Sequence, residues 1–456
     1  MSHPWSVFLM TAALALPRDA PPVRLITLDP GHFHAALIQR DMYPGVSETV
    51  HVYAPLGPDL TAHLLRVSHF NQREDDPTRW RLEVHTGPDF LERMLRERPG
   101  NVVVLSGRNQ GKVDRILASV KAGLNVLADK PWIIDSADFP KLEEALVTAE
   151  AKGLVAYDVM TERYEIATVL QKELVADREL LGDILSGTEQ EPGVSMESIH
   201  HVMKVVAGAP NLRPVWFFDT SQQGEALADV GTHLVDLVAW MLFPEQAVDY
   251  RKDINVLAAT RWPTVLTRAE FERVTGEKGF PPVLAPHVED QRLSYFANTL
   301  VSYTLRGVHV RLKALWRYEA PPGAGDTHFA AVRGSRTRVE IRQGPEERYR
   351  AELYVVPVRP DDREAVRAAL DKRVADLRGR FPGLSIEDQA AGMRVVVPDR
   401  LRTSHEAHFA EVTSRFLGYL RTPGAVPGWE KANMLAKYYV TTKGAELSRR
   451  TPRPEF

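Results

Sequence analysis

Residues 101–131 read NVVVLSGRNQGKVDRILASVKAGLNVLADKP. NVVVLS (101–106) is a buried-type strand closed by Gly107. QGKVDRILASVKAG (110–123) is helical with a Gly stop, and NVLADKP (125–131) is a second strand ending at a Pro. A strand, one helix and another strand predict a right-handed crossover between parallel neighbours. The alternation continues both ways. Upstream lie VRLITL (23–28), a helical HFHAALIQRDM (32–42) and TVHVYA (49–54); downstream lie a helical SADFPKLEEALVTAEAKG (136–153) and LVAYDV (154–159). Residues 23–160 are therefore expected to form an α/β domain built on a doubly wound parallel sheet, with ligands beyond the carboxyl ends of its strands.

The pattern changes after about residue 180. LSYFANTLVSYTLRG (293–307), VHVRLKALWRY (308–318), HFAAVRG (328–334) and TRVEIRQG (337–344) alternate polar and apolar residues, as in an antiparallel sheet with one solvated face. Residues 353–398 read as an inserted strand–helix–strand piece, and two helical segments close the chain. The expected organisation is a leader over 1–22, the α/β domain over 23–160, and an α+β domain with a large, mostly antiparallel open sheet over 161–456.

A chain of 456 residues exceeds one ordinary core, and 44% apolar with 26% charged residues is a soluble globular composition. Lys and Arg number 57 against 60 Asp and Glu, a net charge of −3 that leaves no footprint for nucleic acid or an acidic membrane surface. The absence of cysteine excludes disulfides, thiolate catalysis and cysteine-ligated zinc. Val7 to Leu16 (VFLMTAALAL) is too short to span a bilayer and fits the apolar core of a signal peptide, although no Lys or Arg precedes it. Export follows if residues 1–20 are a signal peptide; otherwise the chain is cytoplasmic.

The first crossover turn is LDPGHFHAAL (28–37). Glycines in a dinucleotide-binding turn let the backbone approach a diphosphate. Only Gly31 keeps that role here, with Asp29 and His34 in the outer glycine places, so an ordinary turn with an Asp cap is an equal reading. Gly31, His32, Phe33 and His34 are the candidate diphosphate contacts. The second strand ends in Pro55, Leu56 and Gly57 rather than an acid, which leaves NAD and NADP undistinguished. Ser106 and Asn109, at the carboxyl end of the strand at 101–106, and Asp129, Lys130 and Pro131, at the end of the next one, are further candidate cofactor contacts. Lys130 either reaches the cleft or faces solvent. In GEALADVGTHLVDLVAW (224–240), Asp229, His233 and Asp236 fall at i, i+4 and i+7, one face of a helix. Such groups are costly to bury unless paired or used.

Together, DKP after one strand, an Asn-bearing loop after the strand before it, and G-x-A-L-x-D-x-G-x-H-x-x-D-L-x-x-W resemble the Gfo/Idh/MocA family of sugar and polyol oxidoreductases, in a divergent branch with an extended C-terminal domain. The resemblance implies a Rossmann domain, an NAD or NADP cofactor, a carbohydrate substrate and a homo-oligomer, a dimer or tetramer. Lys130 matches the family's E-K-P lysine, with Asp129 in place of Glu. Asp229 and His233 match its D-x-x-x-H pair, Asn109 its loop Asn, and Arg163 the Arg of its R-[FY] motif, which is expected to contact the substrate. Arg108, Gln110 and Lys112 stand where the family often has Pro and His. The implied chemistry is alcohol oxidation. His233 would take the hydroxyl proton, Asp229 would fix its tautomer, and Lys130 would stabilise the alkoxide, while Asp236 serves the fold.

His200, His201 and Lys204 in IHHVMK are candidate substrate contacts, with His200 and Lys204 on one helical face. His405 and His408, at i and i+3, have a spacing open to a metal, but surface or core placement is the expectation and no metal is assigned. Trp216, Phe217 and Phe218 read as core. Two rivals stand beside the redox reading: a metal-dependent lyase or hydrolase of an oxidised sugar that has lost nucleotide binding, and a non-catalytic sugar-binding protein.

Overall fold

In a computed structural model the described residues are 22–206, 209–210, 212–422 and 424–451. The expected leader lies almost wholly outside them. Six strands, β1 (Leu25–Leu28), β2 (Thr49–Ala54), β3 (Arg81–Thr86), β4 (Val102–Leu105), β5 (Asn125–Asp129) and β6 (Ala156–Val159), form one parallel sheet in the order β3-β2-β1-β4-β5-β6. Every side chain of β1 and β4 is buried, as expected of strands covered on both faces by helices. The order reverses between β1 and β4, which opens the crevice where ligands of such sheets bind.

The second sheet has ten strands. Nine run across it in the spatial order Ile254–Thr267, Arg292–Leu305, Val308–Glu319, Val194–Met203, Thr327–Arg333, Thr337–Gln343, Glu352–Pro357, Gly392–Val396 and Ser385–Gln389, and Val288–Glu289 pairs with the second of these. Pairing is antiparallel except where Val308–Glu319 runs parallel to Val194–Met203. The strands within residues 353–398 extend the sheet to its far edge, and the helix between them, Arg363–Leu377, buries Val366, Leu370 and Val374.

Two expectations change. The helix predicted over 32–42 shrinks to one turn, His34–Leu37. The IHHVMK stretch belongs to the strand Val194–Met203 and not to a helix. The final helices pack against both sheets. His405–Arg421 buries Phe409, Val412 and Phe416 among side chains of β1, β2 and β4. Gly428–Arg450 puts Met434 and Tyr438 into the core of the parallel sheet, and Ala436 and Val440 into that of the large sheet. Among the described residues no helix is long and apolar enough to cross a membrane.

Candidate active site

The carboxyl end of β5 delivers Asp129 and Lys130 into the crevice between the sheets, and both are buried. Lys130 Nζ donates to Asp229 Oδ1 at 2.6 Å and to the Asp229 carbonyl at 3.1 Å. Asp229 precedes the helix Val230–Leu242, so the bond ties the parallel sheet to the second domain. Burial alone would raise the Asp229 carboxyl; the Lys130 ammonium outweighs it and holds the group down to about 2. These bonds use two of the three N–H donors of Lys130.

His233 follows one turn after Asp229. Burial and the Lys130 charge push its imidazole down to about 3, opposed by the Glu162 carboxylate. It is therefore neutral near pH 7, and its Nδ1 is buried without a hydrogen-bond partner among the described residues. The expected Asp229–His233 pairing is not formed among the described residues: the Asp229 carboxylate is taken by Lys130. Glu162, and more weakly Asp236, favour a charged His233. Burial would raise Glu162, but a hydrogen bond from His405, with Nδ1 3.4 Å from Oε1, helps hold it below the usual carboxylate range. Sequence reasoning passed over Glu162, although it immediately precedes Arg163.

Arg163 is a correction. It is buried, bonds Asp236 in two-pronged fashion at 2.6 and 2.7 Å, and donates to Glu430 at 2.9 and 3.0 Å. Its guanidinium braces the fold and is not available to a substrate. Asp236 behaves as expected, bonded to Arg163 and also to Lys437 at 3.1 Å. Asn109 is likewise engaged: its amide donates to the Gln223 carbonyl at 2.6 Å and side chain at 3.2 Å, while its oxygen accepts from Lys112 at 2.6 Å. It fastens the domains and leaves no polar side-chain atom for a cofactor. Burial pushes Lys112 down to about 8, and its ammonium also meets the Asp129 carbonyl at 3.0 Å.

The first crossover turn brings the remaining cofactor candidates together. Asp129 Oδ2 lies 2.9 Å from His34 Nδ1 and 3.2 Å from His32 Nδ1, and accepts from Ser106 Oγ at 3.1 Å. Burial pushes His34 down to about 3. Phe33 lies beside both imidazoles, and Pro131 is buried behind Lys130. Asp29 turns away to Arg115 at 3.1 Å, which removes the repulsion it would offer a diphosphate. A Cβ on Gly31 would lie 3.2 Å from Asp59 Oδ2 and 3.4 Å from the Trp216 ring. Trp216 Nε1 donates to Asp59 at 3.1 Å, and Arg108 pairs with Asp59 at 3.1 Å.

Beside this turn a cavity of about 140 Å3 is lined by residues 54–60 with Asp29 and Arg108. Asp59 was also missed, because it enters from the first turn of the helix Pro58–Gln72 and not from the end of β2. His200, His201 and Lys204 do converge, but on another unforeseen acid, Asp326: the His200 and His201 Nδ1 atoms lie 3.2 and 3.0 Å away, and Lys204 donates to it. His405 and His408 do not share a ligand position. His405 faces Glu162, while His408 Nε2 meets Thr403 Oγ1 at 3.0 Å. Trp216, Phe217 and Phe218 are buried as expected.

Residues 170–449, more than half of the chain, match the family model described as "Putative oxidoreductase C terminal domain". The chain belongs to that oxidoreductase family. No curated protein matches the sequence. A "putative oxidoreductase" from Parabacteroides merdae ATCC 43184 has a crystal structure that is 44% identical, with a TM-score of 0.92 over 94% of this chain and 98% of its own. GenD2 from gentamicin A biosynthesis, solved in complex with NAD, is 16% identical, with a TM-score of 0.52 over 93% and 95% of the two chains. Levoglucosan dehydrogenase in complex with NADH and levoglucosan is 14% identical, with a TM-score of 0.57 over 94% and 98%. The last two share the fold with this chain.

Proposed function

We propose that the protein is an NAD-dependent oxidoreductase of the Gfo/Idh/MocA type that acts on a carbinol carbon of a sugar, polyol or derivative. The observation that carries this reading is the buried Lys130–Asp229 pair, placed at the carboxyl end of β5 one helical turn from His233. A dinucleotide fits the crevice at two ends. The cavity by Asp59 suits the adenosine ribose, whose hydroxyl protons a carboxylate accepts, while Arg108, paired with Asp59 on the same lining, is the charge a 2′-phosphate would meet, so this end admits either dinucleotide. Lys130 marks the nicotinamide end. Between them the Trp216–Asp59 bond covers Gly31, so a diphosphate on the turn requires the indole to move aside.

When bound, NAD supplies the hydride acceptor. Lys130 directs its remaining N–H at the substrate oxygen and stabilises the charge that develops there. His233, neutral at working pH, receives the hydroxyl proton, and Glu162 favours the resulting imidazolium. The NAD- and NADH-bound relatives with this architecture, one holding levoglucosan, support both the cofactor and the carbohydrate class. The open face of the large sheet is the proposed surface for a dimer or tetramer.

The purified protein is tested with NAD+ and NADP+ against a panel of sugars and polyols, following absorbance of the reduced nicotinamide. Turnover with NAD+ is expected. Lys130→Met and His233→Ala should each lower kcat/KM by roughly 10²–10⁴-fold. Failure of the wild-type protein to bind either dinucleotide would refute the reading.

A further inference from the structure

We propose that His32, His34 and Asp129 form a site for one divalent first-row transition cation of the zinc type. Asp129 Oδ2 lies 3.2 Å from His32 Nδ1 and 2.9 Å from His34 Nδ1, and the three atoms all fall within 4.8 Å of one another. Zinc with bonds of 2.0–2.1 Å holds tetrahedral ligand atoms roughly 3.3 Å apart, so a cation needs shifts of only a few tenths of an ångström.

The hydrogen bonding points the same way. His32 Nδ1 is a buried atom without a hydrogen-bond partner among the described residues, although it sits beside the carboxylate. His34 and Ser106 already converge on the same Oδ2. A cation between the three ligand atoms gives the stranded nitrogen a partner. Ser106 Oγ and the Lys112 bond to the Asp129 carbonyl then act as outer supports that fix the carboxylate's direction. Lys130 is matched by Asp229 at 2.6 Å. Two imidazoles with one carboxylate select zinc-like ions over magnesium or calcium, which take oxygen shells.

Three protein ligands leave a coordination position, as in sites that act on a bound molecule. The site is built from side chains alone, with His32 and His34 on the same turn that the diphosphate would occupy.

The test uses the full chain, stripped with chelator and titrated with Zn2+ by calorimetry. A second cluster, His51, Glu83 and His85 on β2 and β3, is the internal control. One equivalent per chain is expected in the wild type and in a His51→Ala/His85→Ala variant. His32→Ala, His34→Ala and Asp129→Asn should each weaken it by roughly 100-fold or more. Zinc-edge X-ray absorption of the wild-type protein, which needs no variant to fold, should show two imidazoles. No zinc bound by the wild type, an equivalent lost only in the His51/His85 variant, or a spectrum without imidazole each overturns the proposal. NADH binding, followed in parallel by fluorescence, reports separately on the redox reading.

Discussion

Lys437 illustrates how single residues divide between fold and chemistry. Its ammonium is buried between Asp158 at 2.5 Å and Asp236 at 3.1 Å, and Asp236 is also gripped by Arg163. Removing one partner of such a network leaves uncompensated buried charge, so Lys437→Met should cost about 3–5 kcal/mol, measured by urea unfolding. Glu411 is a different case. Burial, reinforced by Glu165, pushes its carboxyl up to about 7, against about 4.3 in an unfolded chain. Its raised pKa adds stability that is full below pH 4.3 and lost as pH rises through 7. Glu411→Gln should therefore raise Tm relative to wild type at pH 8 and change it little at pH 4, a comparison that scanning calorimetry makes directly. Residue types announced Lys130, Asp229 and His233. They did not announce that Asp229 serves Lys130, because which acid meets which base depends on where β5 ends relative to the helix Val230–Leu242.

At the scale of elements, the junction of β1 and β4 is set by close backbone approach. A Cβ on Gly107 would come within 2.3 Å of the Asp29 carbonyl oxygen. Gly107→Ala has to push the two turns apart and is expected to cost about 1–3 kcal/mol, read as a lower unfolding midpoint. The buried strands were legible because they are short apolar runs. β3 was not: RLEVHT is an exposed edge strand whose side chains give no apolar run. The strand Ile254–Thr267 also escaped, since Pro263 interrupts it. The structure accommodates that proline at the sheet's edge, at a register shift between Trp262 and Thr264. The IHHVMK stretch is ambiguous in period, and pairing with both Val308–Glu319 and Thr327–Arg333 makes it a strand.

At the scale of the molecule, the last two described helices return to the first sheet. His405–Arg421 covers the parallel sheet and brings His405 to Glu162, so the last fifty residues help to build the cleft. Asn109 to Gln223, Lys130 to Asp229 and Trp216 to Asp59 fasten the two sheets across it. The proposed assembly through the open sheet face predicts a dimer or tetramer by light scattering, and a monomer at micromolar concentration would exclude it.

The sequence by itself determined the two kinds of sheet, because burial on both faces and burial on one face leave different hydrophobic periods in the chain. It also marked the lysine, aspartate and histidine of the cleft. Tertiary structure alone decided the partners: Asp59, Glu162 and Asp326 meet the site from distant segments, and Arg163 and Asn109 turn inward to brace the fold. Pair energies act over a few ångströms in space, and residues from distant segments become neighbours only when the chain has folded.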